Sequence, residues 1–243
     1  MYTGLGDDEL YGGTGNDIVR GEDGNDLVSG DEGNDTISGG DGEDTMLGGI
    51  GNDTVYGGND NDYIDSSTGD PADNLPDVGY PGLYDADDVT DDALDTVYGG
   101  GGDDTIITGD DDDTIFGGSG NDSIDAGVDD DYVEAGGGDD TVIGSEGNDI
   151  IYGENGNDVI YGGLDDSVPD LVNFPDDGSG PFGPDLVTDN NNDTLYGGAG
   201  RDSIYGADDD DTLFGGTQDD YLDGGVDDDE LHGDDGNDVL VGG

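Results

Sequence analysis

An aspartate returns at every ninth position through most of this chain. It stands at Asp8, Asp17, Asp26, Asp35, Asp44, Asp53 and Asp62, again at Asp95, Asp104, Asp113, Asp122, Asp131, Asp140, Asp149 and Asp158, and finally at Asp193, Asp202, Asp211, Asp220, Asp229 and Asp238. Two residues after each of these 21 aspartates comes an apolar side chain, from Leu10, Val19 and Val28 through Ile106, Ile115 and Ile124 to Leu231 and Leu240. A match without exception over 21 units is a packing constraint. A period of nine fits no helix, and the glycines that punctuate the units would break one. The residues flanking the apolar position are often Thr, Tyr, Ile or Val, which favour strands. Each unit therefore reads as a glycine-rich turn of about six residues and a strand of about three, whose middle side chain faces in while its neighbours face out. Two such units close one flat coil around a single apolar layer.

Charge decides what else such a coil needs. The chain carries 67 acidic residues against Arg20 and Arg201, a formal net charge of −65, and only 29% of it is hydrophobic. That combination predicts a disordered chain unless something positive is bound, because self-repulsion opposes packing. Nucleic acid is excluded as a partner, since its phosphates are met by Lys and Arg. No apolar run approaches the roughly 18 residues of a membrane span. Cysteine is absent, so no disulfide contributes. The first ten residues lack the basic and apolar regions of a secretory signal peptide.

Stretches such as "GGTGNDIVR", "GGIGNDTVY" and "GGSGNDSID" match the nonapeptide Gly-Gly-x-Gly-x-Asp-x-apolar-x. In this the chain resembles the RTX, or haemolysin-type, calcium-binding proteins, a repeat read as a calcium-binding parallel β-helix. The resemblance implies an all-β fold, a right-handed parallel β-roll (a β-solenoid) of about 18 residues per coil, with calcium ions lodged between successive turns on both edges. It makes the 21 aspartates named above the metal ligands.

The residue types suit that chemistry. Calcium takes six to eight oxygens from carboxylates and carbonyls. Asp outnumbers Glu by 59 to eight, as expected for short ligands borne on tight turns. Coils about 4.8 Å apart would bring aspartates of successive coils to one ion. Within the three runs of repeats this pairs 15 sites, and 19 if the stack continues across the two interruptions, so 15–19 calcium ions would offset 30 to 38 of the 65 negative charges. Some turns depart from the motif. Where the third glycine is expected stand Asp60, Ala93, Asp111, Asp129, Asn191, Asp209, Gln218 and Asp227, and the turns "TDDALD" and "TDNNND" before Asp95 and Asp193 hold no glycine. Altered or missing calcium sites are expected there.

The organisation is one calcium-bound roll over residues 1–243, in blocks 1–65, 90–161 and 188–243, separated by insertions 66–89 and 162–187. All seven prolines lie in the insertions, and proline does not serve an interior strand. They read as excursions from the roll, either tolerated loops or contact elements anchored by Tyr80, Tyr84, Phe174 and Phe182. A shift of 98 residues places "DTVYGG" on "DTLYGG" and "DDDDTIFGG" on "DDDDTLFGG", the mark of an array grown in tandem. The ninth position is often aromatic, and Tyr98, Phe116 and Tyr152, separated by whole coils, fall on one face. Cross-strand packing or a lateral contact stripe would account for them.

The only histidine, His232, sits at an outward ninth position, and Cys and Lys are absent. Acid-base or nucleophilic chemistry would have to rest on carboxylates whose regularity assigns them to metal, so no enzymatic activity is expected. Two functions compete. One is an extracellular structural protein that folds on calcium and associates head to tail into a filament, matrix or surface layer, because solenoids normally need caps and none is evident. The other is a calcium-triggered folding module from a larger toxin, enzyme or adhesin exported by a type I-like route.

Overall fold

A computed structural model of the protein describes residues 1–67, 93–163 and 191–242. The expected contact residues Tyr80, Tyr84, Phe174 and Phe182 lie outside them. The chain alternates strand by strand between two parallel sheets of eleven strands each, one running from Tyr2–Leu5 to Glu230–His232 and the other from Glu9–Thr14 to Val239–Val241. Successive strands of one sheet are one coil apart, as in Ile37 beside Val55. This is a parallel β-solenoid. Among the described residues there is no helix.

The stack continues across both interruptions. Val55 pairs with Val97, and Ile151 pairs with Leu195. The second sheet closes in the same way, Ile64 on Ile106 and Ile160 on Ile204. Ser66, Gly162 and Gly163, counted with the insertions, still bond into the sheets through Ser66 N–H to Ile107 O, Gly162 N–H to Tyr205 O and Gly163 N–H to Gly206 O.

The inward side chains form the core. From Leu10 to Leu222 every residue two places after a ladder aspartate is buried, whereas Leu231 is half-buried and Leu240 exposed, because no further coil covers them. One apolar side chain per repeat unit is a thin core, and its stability comes from each layer being sealed by the coils above and below.

Strand length departs from expectation. Most strands have six residues, such as Thr54–Asn59 and Thr114–Ser119, and the turns shrink to three, such as residues 51–53. The three-residue estimate holds only next to the interruptions, at Tyr63–Asp65 and Val159–Tyr161, and in the last coil. Glycine has low strand preference because it lacks a packing side chain. Here its backbone still pairs with the coil above and below, Gly58 with Gly40 and Gly100, and the ladder carries the two glycines into the strand.

An aromatic column runs up the outer face of the first sheet. Tyr56, Tyr98 and Phe116 stack at 5.0 and 4.9 Å, and Tyr152, Tyr196 and Phe214 at 4.6 and 4.7 Å. Between the two triplets the ninth position is Glu134, and Tyr132 leans in from position seven to touch both Phe116 and Tyr152. His232 ends the column, stacked on Phe214 at 4.7 Å and paired with Glu230 at 3.0 Å. Rings one strand spacing apart in a parallel sheet meet face to face, so this is cross-strand packing.

Candidate metal centres

Each ladder aspartate closes a turn, of three residues in most units and of four at 110–113, 208–211 and 226–229, and the turns fall on the two edges of the solenoid. Turns passing from the first sheet to the second carry Asp8, Asp26, Asp44, Asp62, Asp104, Asp122, Asp140, Asp158, Asp202, Asp220 and Asp238, here the first row. Turns passing back carry Asp17, Asp35, Asp53, Asp95, Asp113, Asp131, Asp149, Asp193, Asp211 and Asp229, the second row. Both interruptions leave from the second-row edge.

Within each row the aspartates are linked one coil to the next. The N–H of Asp26 donates to Asp44 Oδ1 at 2.8 Å, that of Asp35 to Asp53 Oδ1 at 2.8 Å, and that of Asp113 to Asp131 Oδ1 at 2.8 Å. The link spans the interruptions, Asp53 to Asp95 at 2.6 Å and Asp149 to Asp193 at 2.8 Å. The expected partners in successive coils are therefore adjacent, joined by one carboxylate oxygen and one amide.

The second oxygen is the informative one. In 18 of the 21 aspartates Oδ2 is buried and has no hydrogen-bond partner, the exceptions being Asp8, Asp17 and Asp238 in the outermost, part-exposed coils. A buried carboxylate oxygen left unpaired is costly unless a cation meets it. Among the described residues the only ion pair is His232 with Glu230, and it involves no ladder aspartate. A row of buried, unpaired carboxylate oxygens backed by backbone carbonyls is the hard oxygen donor set that calcium prefers. Among the described residues no three carboxyl or imidazole side chains gather at one point. An ion here would therefore draw on the aspartates of adjoining coils and on backbone oxygens.

Burial also shows in the acidities. It pushes Asp44 and Asp202 up to about 6, and Asp62, Asp122 and Asp158 to about 7 in the first row. In the second row it takes Asp53 to about 7, Asp95 and Asp149 to about 8 and Asp211 to about 9, with Asp113, Asp131 and Asp193 also held well above the ordinary value. Desolvation is the main cause throughout. Neighbouring carboxylates add to it, the amide from the preceding coil opposes it, and near Asp95 and Asp113 so do the hydroxyls of Ser66 and Thr108.

Two features of the site were not read from the sequence. The first glycine of each unit is needed for space: a Cβ on Gly39 would lie 2.2 Å from Asp44 Oδ2, and one on Gly30 would lie 2.5 Å from Asp35 Oδ2. The positive φ expected of the motif's glycines belongs to the second and third. The signal for this steric need was the uniformly small residue four places after each aspartate, with Ser66, Thr108, Ala126 and Ala135 as its only bulkier forms. The second feature is an exposed outer ladder of the residues just before the aspartates. On the first row it runs from Asn61 to Asp103, Asn121, Asp139, Asn157 and Arg201, each side-chain oxygen accepting from the amide of the next residue. The recurring Asn-Asp dipeptide was its trace.

The departures at the third glycine keep the motif's backbone. Asp60, Asp111, Asp129, Asp209, Gln218 and Asp227 all hold φ between 66° and 84°, the left-handed region that favours glycine. Aspartate enters it more readily than most residues.

Comparison with known proteins agrees with this geometry. The sequence model of the RTX calcium-binding nonapeptide repeat, four copies long, matches residues 2–37, 38–71, 91–124, 98–133, 107–142, 134–168, 187–222 and 214–243, well over half the chain. No curated protein matches it.

Proposed function

The chain belongs to the family of RTX calcium-binding nonapeptide repeats, and on that premise we propose that it is an extracellular structural protein whose roll folds on binding calcium and then associates end to end. The observation that carries the reading is the double row of buried, unpaired Asp Oδ2 atoms in a chain of net charge −65. Calcium between the coils supplies the missing positive charge. Up to 19 coil-to-coil links provide places for it, so the metal count follows the length of the roll.

Extracellular calcium, near millimolar, matches the weaker affinities of extracellular modules, about 10⁻⁴–10⁻³ M. Such sites stay empty in a cytosol and fill outside it, which couples folding to export. Among the described residues the histidine His232 is stacked on Phe214 and paired with Glu230, so it serves the aromatic column. End-to-end association draws support from the outermost described coils. The strands Tyr2–Leu5 and Val239–Val241 each pair on one side only, and Tyr2, Leu5, Val239 and Leu240 are exposed. Open parallel edges pair readily with another copy, and Asp8 and Asp238 stand on the same edge, where a second copy would extend the first row. The same edges would serve a module continued within a longer secreted protein.

Circular dichroism with and without a chelator tests the calcium reading. Strand signal should vanish on chelation at neutral pH and return with millimolar calcium, and signal that survives chelation sinks it. Electron microscopy of the calcium-loaded protein then tests assembly: fibres or sheets support it, and separate rods one chain long remove it.

A further inference from the structure

Two turns of the second row stand apart from all others. Residues 110–113 and 208–211 are each four consecutive aspartates, at corresponding places in the tandem array. Three of the four are buried in both turns: Asp110, Asp111 and Asp113 are 3%, 4% and 2% exposed, and Asp208, Asp209 and Asp211 are 3%, 3% and 1%. The adjoining coil adds Asp95 and Asp193, each 2% exposed. Each turn and the coil before it thus carry four buried carboxylates, against two at an ordinary rung, without three of them converging on one point.

The extra aspartates are built in. Asp111 Oδ2 accepts from the Ala93 amide at 2.8 Å while, beside it, Asp113 Oδ1 accepts from the Asp95 amide at 2.7 Å. In the later turn Asp209 Oδ2 accepts from Asn191 N–H at 3.1 Å and Asp211 Oδ1 from Asp193 N–H at 2.8 Å. Each turn keeps an aspartate where the motif calls for glycine, at φ 68° for Asp111 and 66° for Asp209. The side chain is thus retained at a backbone position where glycine would be relaxed. Asp113 Oδ2 and Asp211 Oδ2 remain buried without hydrogen-bond partners beside these carboxylates.

Their place in the fold is equally particular. Asp95–Asp113 and Asp193–Asp211 are the first links wholly on the far side of each interruption. There the chain has just returned to register through a coil of 42 or 44 residues in place of 18. Closing a longer loop has a larger entropic cost, so a strong contact is most useful at that point. Ligand charge count is one of the variables that set calcium affinity.

We propose that the turns 110–113 and 208–211 form a second, tighter class of calcium site, filled before the ordinary two-carboxylate rungs and holding the roll in register where it resumes after each interruption. This rests on the calcium reading above. The added carboxylates act by charge from beside the rung, since no three converge on one point among the described residues.

Isothermal calcium titration of the full chain, with folding followed by circular dichroism, separates the possibilities. The expected curve has a small early class of sites ahead of the main uptake. The double variant Asp111→Gly/Asp209→Gly should lose that class, and its folding midpoint should move to about tenfold higher calcium. A purely structural role through the Ala93 and Asn191 amides would raise the midpoint in the glycine variant as well, so the asparagine variant, which keeps those acceptors, decides. Asp111→Asn/Asp209→Asn keeps the shape and removes only the charge, so it should reproduce the loss even if the glycine variant folds poorly. An asparagine variant titrating like the parent overturns the inference. A parent that takes up no calcium overturns the premise instead.

Discussion

Along the first row, glycine stands two residues before the aspartate in every turn except those with Asp60 and Gln218. Along the second row it is replaced in six turns of ten, by Ala93, Asp111, Asp129, Asn191, Asp209 and Asp227. All six lie at or beyond the first interruption. The first three second-row turns, with Gly15, Gly33 and Gly51, conform to the motif. The edge that lets the chain out and takes it back is therefore the edge that gave up its glycines. The acidities follow the same division, with Asp95, Asp149 and Asp211 pushed higher than any first-row aspartate given a value. The same repeat can thus make two kinds of edge. One is a uniform series of rungs, and the other is more deeply buried and more negative where the chain must find its register again.

The largest test of that contrast is pH titration of the calcium-free protein. Burial raises these carboxyls above their unfolded value of 3.8, so the metal-free fold has its full support below about pH 4 and loses it as the pH rises through the folded values. Those are about 6 to 7 for Asp44, Asp62, Asp122, Asp158 and Asp202 in the first row. They are about 8 for Asp95 and Asp149 and about 9 for Asp211 in the second. Both rows lose support alike from about pH 4 to about 6, and above that only the groups with the higher folded values go on losing it. Hydrogen exchange on chelated protein brought up from about pH 4 should therefore show second-row turns beyond the first interruption opening ahead of first-row turns. Simultaneous opening would erase the distinction between the edges.

A smaller effect is expected at the first glycine of a unit, where both rows share one steric rule. Gly39→Ala beside Asp44 and Gly30→Ala beside Asp35 push a methyl to within 2.2 and 2.5 Å of a carboxylate oxygen. Each should cost about 1–3 kcal/mol, the usual range for overpacking, and raise the calcium midpoint. Urea titration at saturating calcium measures it, and a cost at only one of the two would show that the rows differ even here. Smallest should be Tyr98→Ser in the aromatic column, about 0.5–1.5 kcal/mol beyond lost area. The calcium midpoints of both rows should stay level with each other, because the column crosses the sheet face and touches neither edge.

Much of this was legible in the repeat. A period of nine with an apolar residue two places after Asp determined the coil length, the single inward layer and the two rows of carboxylates. These depend only on parity along a strand and on where a turn must fall. Arg20 and Arg201, set against 67 acids, determined that counter-charge had to come from outside the chain. Tertiary structure decided what depends on the neighbouring coil. It extended the strands through the glycines, because their amides and carbonyls pair with the coils above and below. It gave the first glycine its reason, since the carboxylate that needs the space belongs to a residue five places on and folds back over it. It joined Asp53 to Asp95 and Asp149 to Asp193 across the interruptions, and it drew Tyr132 into the aromatic column in place of Glu134. Sequence spacing says which residues recur together, and only the closed stack determines which atoms then have to share one space.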